Sequence, residues 1–183
     1  MKTEVLGIRY DNVTMAEALD AARTFLQSDA SGYVVTPNAE IAYEALHSEA
    51  LCRVLNDAQL VLPDGAGVVL ASKIVRSPLK QKVAGFDFAM QLLPVLAELG
   101  LRLFLLGSKP GVAEQAAEIL REKHPDLCIC GTADGYFSQD GEALEAIRAA
   151  QADVVYVCLG APKQEFFMQR NLAPSGTKLM PGL

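Results

Sequence analysis

The chain has 183 residues, a formal net charge of −6 and a hydrophobic content of 51%. This length suits one domain with a sizeable buried core, and the acidic balance, without any basic stripe, argues against a nucleic-acid partner. No apolar run reaches the roughly 18 residues that a membrane span requires, and the first residues do not resemble a signal peptide. We therefore expect a cytoplasmic globular protein.

The first half of the chain alternates short apolar runs with helical periodicity. The run from Glu4 to Tyr10 predicts one strand. Thr14 and Glu17 have the spacing of a capping box and predict the start of the first helix. Further strands are predicted at 33–36 and 60–62, and further helices at 38–46, 48–55, 68–76 and 88–100.

The second half repeats one unit three times: a strand, a glycine-containing loop and a helix. The predicted strands cover 101–106, 127–130 and 154–159. Such units build a parallel sheet with right-handed crossovers. Residues 178–180 predict one more strand. The whole pattern predicts a single α/β domain over residues 1–183, doubly wound and Rossmann-like, with helices on both faces of a mainly parallel sheet.

Asp64 is the most informative single residue of the first half. An apolar run stops at Pro63, presents this one carboxylate, and turns on Gly65 into a helical pattern. A strand that ends in this way delivers an acid to the carboxyl edge of a sheet, where α/β proteins bind ligands. Two roles remain open, because Asp is also a favoured cap for the helix that follows.

The loops of the second half offer further candidates. Gly107 to Gly111 allows backbone N–H groups to approach a phosphate, but ordinary turns use glycine as readily. Asp134 and Tyr136 follow a strand end and suit either a ribose and a base or a simple turn. Gln164 begins a helix, where it either reaches a ligand or lies on the surface.

Several catalytic signatures are missing from the sequence. It contains no P-loop motif, no G-x-G-x-x-G, no H-E-x-x-H and no G-x-S-x-G. It has no D-x-D pair of the kind that holds a metal on a sugar nucleotide, and its four cysteines lack zinc-site spacing. We therefore expect no metal and no other cofactor.

Six short motifs occur in a fixed order along the chain: 36–40 (TPNAE), 63–65 (PDG), 85–87 (GFD), 105–111 (LLGSKPG), 135–137 (GYF) and 159–165 (LGAPKQE). Each motif is common alone, but the ordered set is specific. From about Val5 to Arg170 it resembles the WecG/TagA/CpsF glycosyltransferase family.

The resemblance implies a reaction and a set of site residues. Family members invert configuration as they transfer a sugar from a UDP donor to an undecaprenyl-diphosphate-linked sugar. Those of wall teichoic acid synthesis move N-acetylmannosamine onto lipid-linked N-acetylglucosamine without a metal. The catalytic base of the family falls on Asp64, and its other active-site residues fall on Thr36, Asn38 and Gln164. Residues expected to bind the UDP-sugar are Gly65, Gly85, Asp87, Gly107, Gly111, Asp134, Tyr136, Gly160 and Lys163.

The chain departs from the family after Met180. Members continue through a Gly-Gly-x-Phe-Asp-like segment and a basic C-terminal appendage, which is credited with docking at the inner face of the membrane and with arginines for the active site. We expect the 183-residue chain, lacking this appendage, to be poorly active and to expose a surface that favours self-association. Open alternatives are a relative that uses mannosaminuronic acid or glucose, and a nucleotide-binding module without chemistry. A dehydrogenase is disfavoured.

Overall fold

The computed structural model describes residues 2–183, which contain eight strands and eight helices. The strands are β1 Lys2–Val5, β2 Ile8–Asp11, β3 Gly32–Val35, β4 Leu60–Val61, β5 Arg102–Gly107, β6 Cys128–Ala133, β7 Val154–Cys158 and β8 Leu179–Pro181. The helices are α1 Met15–Leu26, α2 Ala39–Ala45, α3 Glu49–Asp57, α4 Ala66–Ile74, α5 Gly85–Glu98, α6 Val112–Lys123, α7 Asp140–Ala149 and α8 Lys163–Ser175.

Six of these strands form one parallel sheet in the order β4-β3-β8-β7-β5-β6. Alternate residues of each strand point to opposite faces, and each face carries its own apolar core. Helices α1, α5 and α6 cover one face, while α2, α3, α7 and α8 cover the other. The predicted doubly wound α/β fold is therefore confirmed.

The predicted strand at 178–180 is confirmed as β8, which lies in the middle of the sheet. It pairs with β3 through Gly32, Tyr33 and Val34, and with β7 through Val154. The predicted end of β6 at Cys130 is too early, since pairing with β5 continues to Ala133.

The prediction of one strand from Glu4 to Tyr10 is wrong, because the chain reverses in its middle. Strands β1 and β2 form an antiparallel hairpin joined by Leu6 and Gly7. These two residues have φ angles of 53° and 79°, and positive φ at both positions is typical of a type I′ turn. Leucine is rare in such a turn, so no hairpin signal is visible at these residues.

The hairpin protects the edge of the main sheet beside β4. The Asp11 carboxylate accepts a hydrogen bond of 2.9 Å from the Val61 backbone N–H. An unpaired N–H on an edge strand is a site for unwanted strand pairing. Asp11 thus provides the hydrogen-bond acceptor for this N–H of β4, the strand that leads into Asp64.

We expect Asp11→Ala to lower the free energy of unfolding by about 1.5–3 kcal/mol, the usual range for a hydrogen bond to a charged group. Urea denaturation measures this change. Asp11→Asn, which keeps an acceptor oxygen, should lose less. Lys2→Ala is the control for the ion pair between Lys2 and Asp11, which is 3.4 Å long and involves a largely exposed lysine, so it should change stability little. An alanine variant at Asp11 as stable as the wild type would contradict this role.

Candidate active site

The predicted site residues follow the strands at one edge of the sheet. Parallel strands all present their carboxyl ends there, so the loops after β4, β3, β8, β7, β5 and β6 succeed one another along it. With about 4.8 Å between neighbouring strands, the β4 and β7 ends lie roughly 14 Å apart. Two groups of residues result, one around Asp64 and one around Lys163.

Asp64 does not cap the helix that follows it. That helix, α4, has Gly65 at its N-cap with φ 90° and no side-chain capping bond. Instead, the Asp64 Oδ2 atom accepts a 3.1 Å hydrogen bond from the Gly85 N–H, the first residue of α5. The alternative that Asp64 caps the following helix is therefore wrong. The carboxylate lies at the positive end of the α5 dipole.

Thr36 packs directly against this contact. A Cβ atom added to Gly85 would lie 2.7 Å from the Thr36 Oγ1 atom, so only glycine allows α5 to begin so close to the end of β3. The Thr36 hydroxyl donates to the Gly182 carbonyl oxygen at 3.4 Å. Asp64, Gly85, Thr36 and Gly182 thus form a continuous chain of contacts across β4, β3 and β8.

Asn38 lies at the start of α2 and has a clear structural role. Its Oδ1 atom accepts a 3.0 Å hydrogen bond from the Ile41 N–H, which caps the helix. Gly65 lies beside it, since an added Cβ would be 3.7 Å from the Asn38 Cβ atom. Asn38 is therefore in the Asp64 group, and its capping bond leaves the amide NH2 as a donor.

Gln164 extends the Asp64 group toward β7. Its side chain is only 4% exposed. The Oε1 atom accepts from the Gly160 N–H at 3.1 Å, and the Nε2 atom donates to Glu165 at 3.3 Å. A Cβ added to Gly182 would lie 3.1 Å from this Nε2 atom, so Gln164 reaches the same glycine as Thr36.

Glu165 is the residue of this group that sequence reasoning did not single out, although it stands within the 159–165 motif. It is 1% exposed, and its Oε2 atom has no hydrogen-bond partner within residues 2–183. Burial raises the pKa of the Glu165 carboxyl above its ordinary value, while its own backbone N–H and the Gln164 amide oppose that shift. The hydrogen bond that Glu165 accepts from the Gln164 amide fixes the orientation of that amide.

The Lys163 pocket is the second group. This open pocket of about 560 Å³ lies at the ends of β5 and β7 and beyond β6. Its lining contains two cations, Lys109 and Lys163, and no acidic residue. The Lys163 ammonium donates to the Gly135 carbonyl oxygen at 2.9 Å and lies 4.4 Å from the centre of the Phe137 ring. The cation is thus held at the pocket wall, which suits an anionic ligand.

Tyr136 also lines this pocket and is 70% exposed. Asp134 accepts a 2.8 Å hydrogen bond from the Tyr136 N–H, which is an Asx-turn. Asp134 itself faces a smaller pocket of about 320 Å³, whose lining also contains Glu114 and Glu142. Three acidic residues make this smaller pocket unsuitable for a diphosphate.

The predicted glycines have mainly structural reasons. Gly107 has φ 131°, and an added Cβ would collide with the Cys158 backbone oxygen, so β5 and β7 could not pair as closely as they do. Gly111 has φ 85° and caps α6. The Gly160 N–H is already bonded to Gln164. Asp87, which was also predicted to bind the UDP-sugar, is exposed in the first turn of α5. It makes no ion pair within residues 2–183.

Fold and site together define a doubly wound α/β protein whose polar groups meet at the carboxyl edge of its sheet, where such proteins bind ligands. The model of the WecG/TagA/CpsF glycosyl transferase family matches residues 3–183. The chain belongs to this family.

Curated relatives share one name, N-acetylglucosaminyldiphosphoundecaprenol N-acetyl-beta-D-mannosaminyltransferase. The protein from Bacillus spizizenii is 36% identical, over 82% of this chain and 60% of its own length. Those from Bacillus subtilis and Staphylococcus aureus are 31% and 29% identical, over 98% and 100% of this chain and 72% of each relative. The chain thus spans between 60% and 72% of the length of these three relatives.

Among solved structures, a substrate-binding periplasmic protein from Ralstonia solanacearum aligns with this chain. The alignment covers 93% of this chain and 49% of the periplasmic protein. Its TM-score of 0.39 and identity of 18% are too low to support an argument.

We expect Glu165→Gln to change how stability depends on pH. Because the folded pKa of Glu165 is raised, its contribution to wild-type stability is full below the unfolded pKa and is lost as pH rises through the folded pKa. The glutamine variant has no such loss, so its stability relative to wild type should increase from about pH 4 to about pH 8. Urea midpoints at both values measure this difference.

Glu165→Leu is the matched comparison, since it removes the acceptor for Gln164 as well as the charge. It should leave the Gln164 amide without its partner, whereas glutamine retains an acceptor oxygen. A stability difference between wild type and Glu165→Gln that is the same at both pH values would show that Glu165 does not titrate differently in the folded protein.

Proposed function

We propose that the protein transfers N-acetylmannosamine from UDP-N-acetylmannosamine to undecaprenyl-diphosphate-linked N-acetylglucosamine, with inversion at the anomeric carbon. The observation that carries this proposal is the Asp64 carboxylate, fixed by the Gly85 N–H at the same sheet edge as the cationic Lys163 pocket. The shared name of the relatives supports the choice of sugar and acceptor. The reaction suits wall teichoic acid synthesis.

Asp64 acts as the general base in this proposal. Its carboxylate takes the proton of the acceptor hydroxyl while that oxygen attacks the anomeric carbon of the donor. The new bond forms as the bond between the anomeric carbon and the UDP oxygen breaks, and UDP leaves with the electron pair. Attack from the side opposite UDP gives the inverted product.

Charge on the leaving UDP requires stabilisation. Lys163 and Lys109 supply cations within one pocket. Helix α6 begins three residues after Lys109, and its N-terminus receives no side-chain capping bond, so its dipole adds positive potential to this loop. The exposed ring of Tyr136 suits stacking on the uracil base. Thr36, Asn38 and Gln164 lie between this pocket and Asp64 along the edge, where they would orient the two sugars.

We propose that the reaction needs no metal ion. The sequence has no D-x-D pair, and two lysines line the pocket proposed for the diphosphate. Activity and UDP affinity unchanged by EDTA would support this part, and loss of either on chelation, restored by Mg²⁺ or Mn²⁺, would refute it.

The proposed acceptor is a membrane lipid, so we propose that the protein works peripherally at the inner face of the cell membrane. None of the helices within residues 2–183 is long and apolar enough to cross a bilayer. Contact with the membrane would therefore come from a surface rather than a span in this part of the chain.

We expect Asp64→Asn to lower turnover by about 100-fold or more, the usual scale for loss of a general base. Binding of UDP should be unchanged, because the amide keeps an oxygen for the Gly85 N–H and lies outside the Lys163 pocket. Steady-state transfer and calorimetric UDP binding measure the two effects. Asp126→Asn, at an exposed position, is the control. Near-normal kcat across pH 6 to 9 would exclude Asp64 as the base.

We expect Lys163→Met to weaken UDP binding by about 10-fold or more, since it removes a charge-assisted contact. Thermal shift with UDP, NAD and ATP measures the affinity and its selectivity, because a ligand stabilises only the state that it binds. Lys123→Met, an exposed lysine outside this pocket, is the control. Equal shifts with all three nucleotides, or an unaffected UDP shift in Lys163→Met, would contradict the assignment of this pocket.

A further inference from the structure

The outer side of α4 exposes large apolar side chains to solvent. Leu70 is 61% exposed, Ile74 is 74% exposed and Val75, directly after the helix, is 52% exposed. Lys73 and Arg76 lie among them and are also exposed. We call these five residues the α4 face. Leu70 and Ile74 are adjacent, since residues four apart share one side of a helix, and Val75 follows Ile74 directly.

The orientation of α4 is fixed by its other side. Val68 and Ser72 are buried there. The Ser72 hydroxyl donates to the Val69 carbonyl oxygen at 2.7 Å and accepts from the Leu79 N–H at 3.0 Å. This ties the loop after the helix back to the core, so the helix cannot simply rotate to bury Leu70 and Ile74.

The stretch of sequence that contains the α4 face carries only positive charges. No aspartate or glutamate occurs from Gly65 to Phe86, whereas the chain as a whole carries −6. Four cations fall in this stretch: Lys73, Arg76, Lys80 and Lys82. Lys80 is paired with Glu17 at 2.6 Å, and the other three make no ion pair within residues 2–183.

The α4 face is also close to the proposed base. Helix α4 begins two residues after Asp64, and its far end lies roughly 13 Å away at about 1.5 Å per helical residue. A surface bound through this face would therefore lie beside the Asp64 group.

We propose that the α4 face docks on a bilayer that contains anionic lipids. Apolar side chains that enter the headgroup region, with cations around them, are what peripheral membrane binding requires. A second copy of this chain fits less well, because a symmetric contact through the face would bring its unpaired cations together. The biological purpose of this docking rests on the proposed lipid-linked acceptor, but the binding itself does not.

Co-sedimentation with vesicles tests the docking, using phosphatidylcholine alone and phosphatidylcholine mixed with phosphatidylglycerol. The chain should bind the mixed vesicles, and salt should weaken this binding. Lys73→Gln with Arg76→Gln should reduce the partition coefficient by about 25-fold, since each cation near an anionic surface contributes about fivefold. Leu70→Gln with Ile74→Gln should reduce it by about 10-fold by removing the inserted apolar groups.

The matched control is Ile119→Gln with Lys123→Gln on α6, where Ile119 is 51% exposed and the two residues are also four apart. It should bind vesicles like the wild type. Failure of the wild-type chain to bind the mixed vesicles would overturn the proposal. Binding by both α4 variants that is as strong as that of the wild type would also overturn it. So would a concentration-dependent dimer in sedimentation that Leu70→Gln with Ile74→Gln abolishes while vesicle binding is absent.

These vesicles contain neither donor nor acceptor sugar, so the outcome is independent of catalysis. Loss of transfer in Asp64→Asn with vesicle binding intact would separate the two proposals. UDP affinity measured on the α4 variants confirms that the nucleotide pocket remains folded.

Discussion

The hydrogen bond between the Gly85 N–H and the Asp64 carboxylate is the contact on which the rest of the site depends. It joins the loop after β4 to the first residue of α5, and the two bonded residues are 21 positions apart in the sequence. The bond is possible only because Gly85 has no side chain to collide with Thr36. One close approach therefore positions the acid, orients it toward the sheet edge, and places Thr36 beside it.

Positive and negative side chains occupy different pockets at the same edge of the sheet. The Lys163 pocket has two lysines and no acidic residue, while the neighbouring small pocket has three acidic residues. Between the Lys163 pocket and Asp64 lies the buried pair of Gln164 and Glu165, whose amide and carboxyl groups hold each other in place. The positions proposed for the anionic leaving group and for the proton acceptor are thus separate, as the proposed single displacement requires.

Much of the fold could be predicted because its signals are local. Apolar runs ending at glycine loops predicted β5 and β7, and the central strand β8 was predicted from its first residues. The Leu6–Gly7 hairpin turn was missed because leucine rarely adopts positive φ. The partner of Asp64 was missed because no local pattern connects it to Gly85. The α4 face was missed because the helix is apolar on several sides, so its periodicity does not reveal which side is buried.

A structure of the protein with UDP bound would test the proposed active site most directly. In that structure we expect the uracil against Tyr136, the diphosphate near Lys163 and Lys109, and the β-phosphate directed along the edge toward Gln164 and Asp64. Clear density for UDP elsewhere, such as the acidic pocket beside Asp134 or the outer surface of α4, would contradict this assignment.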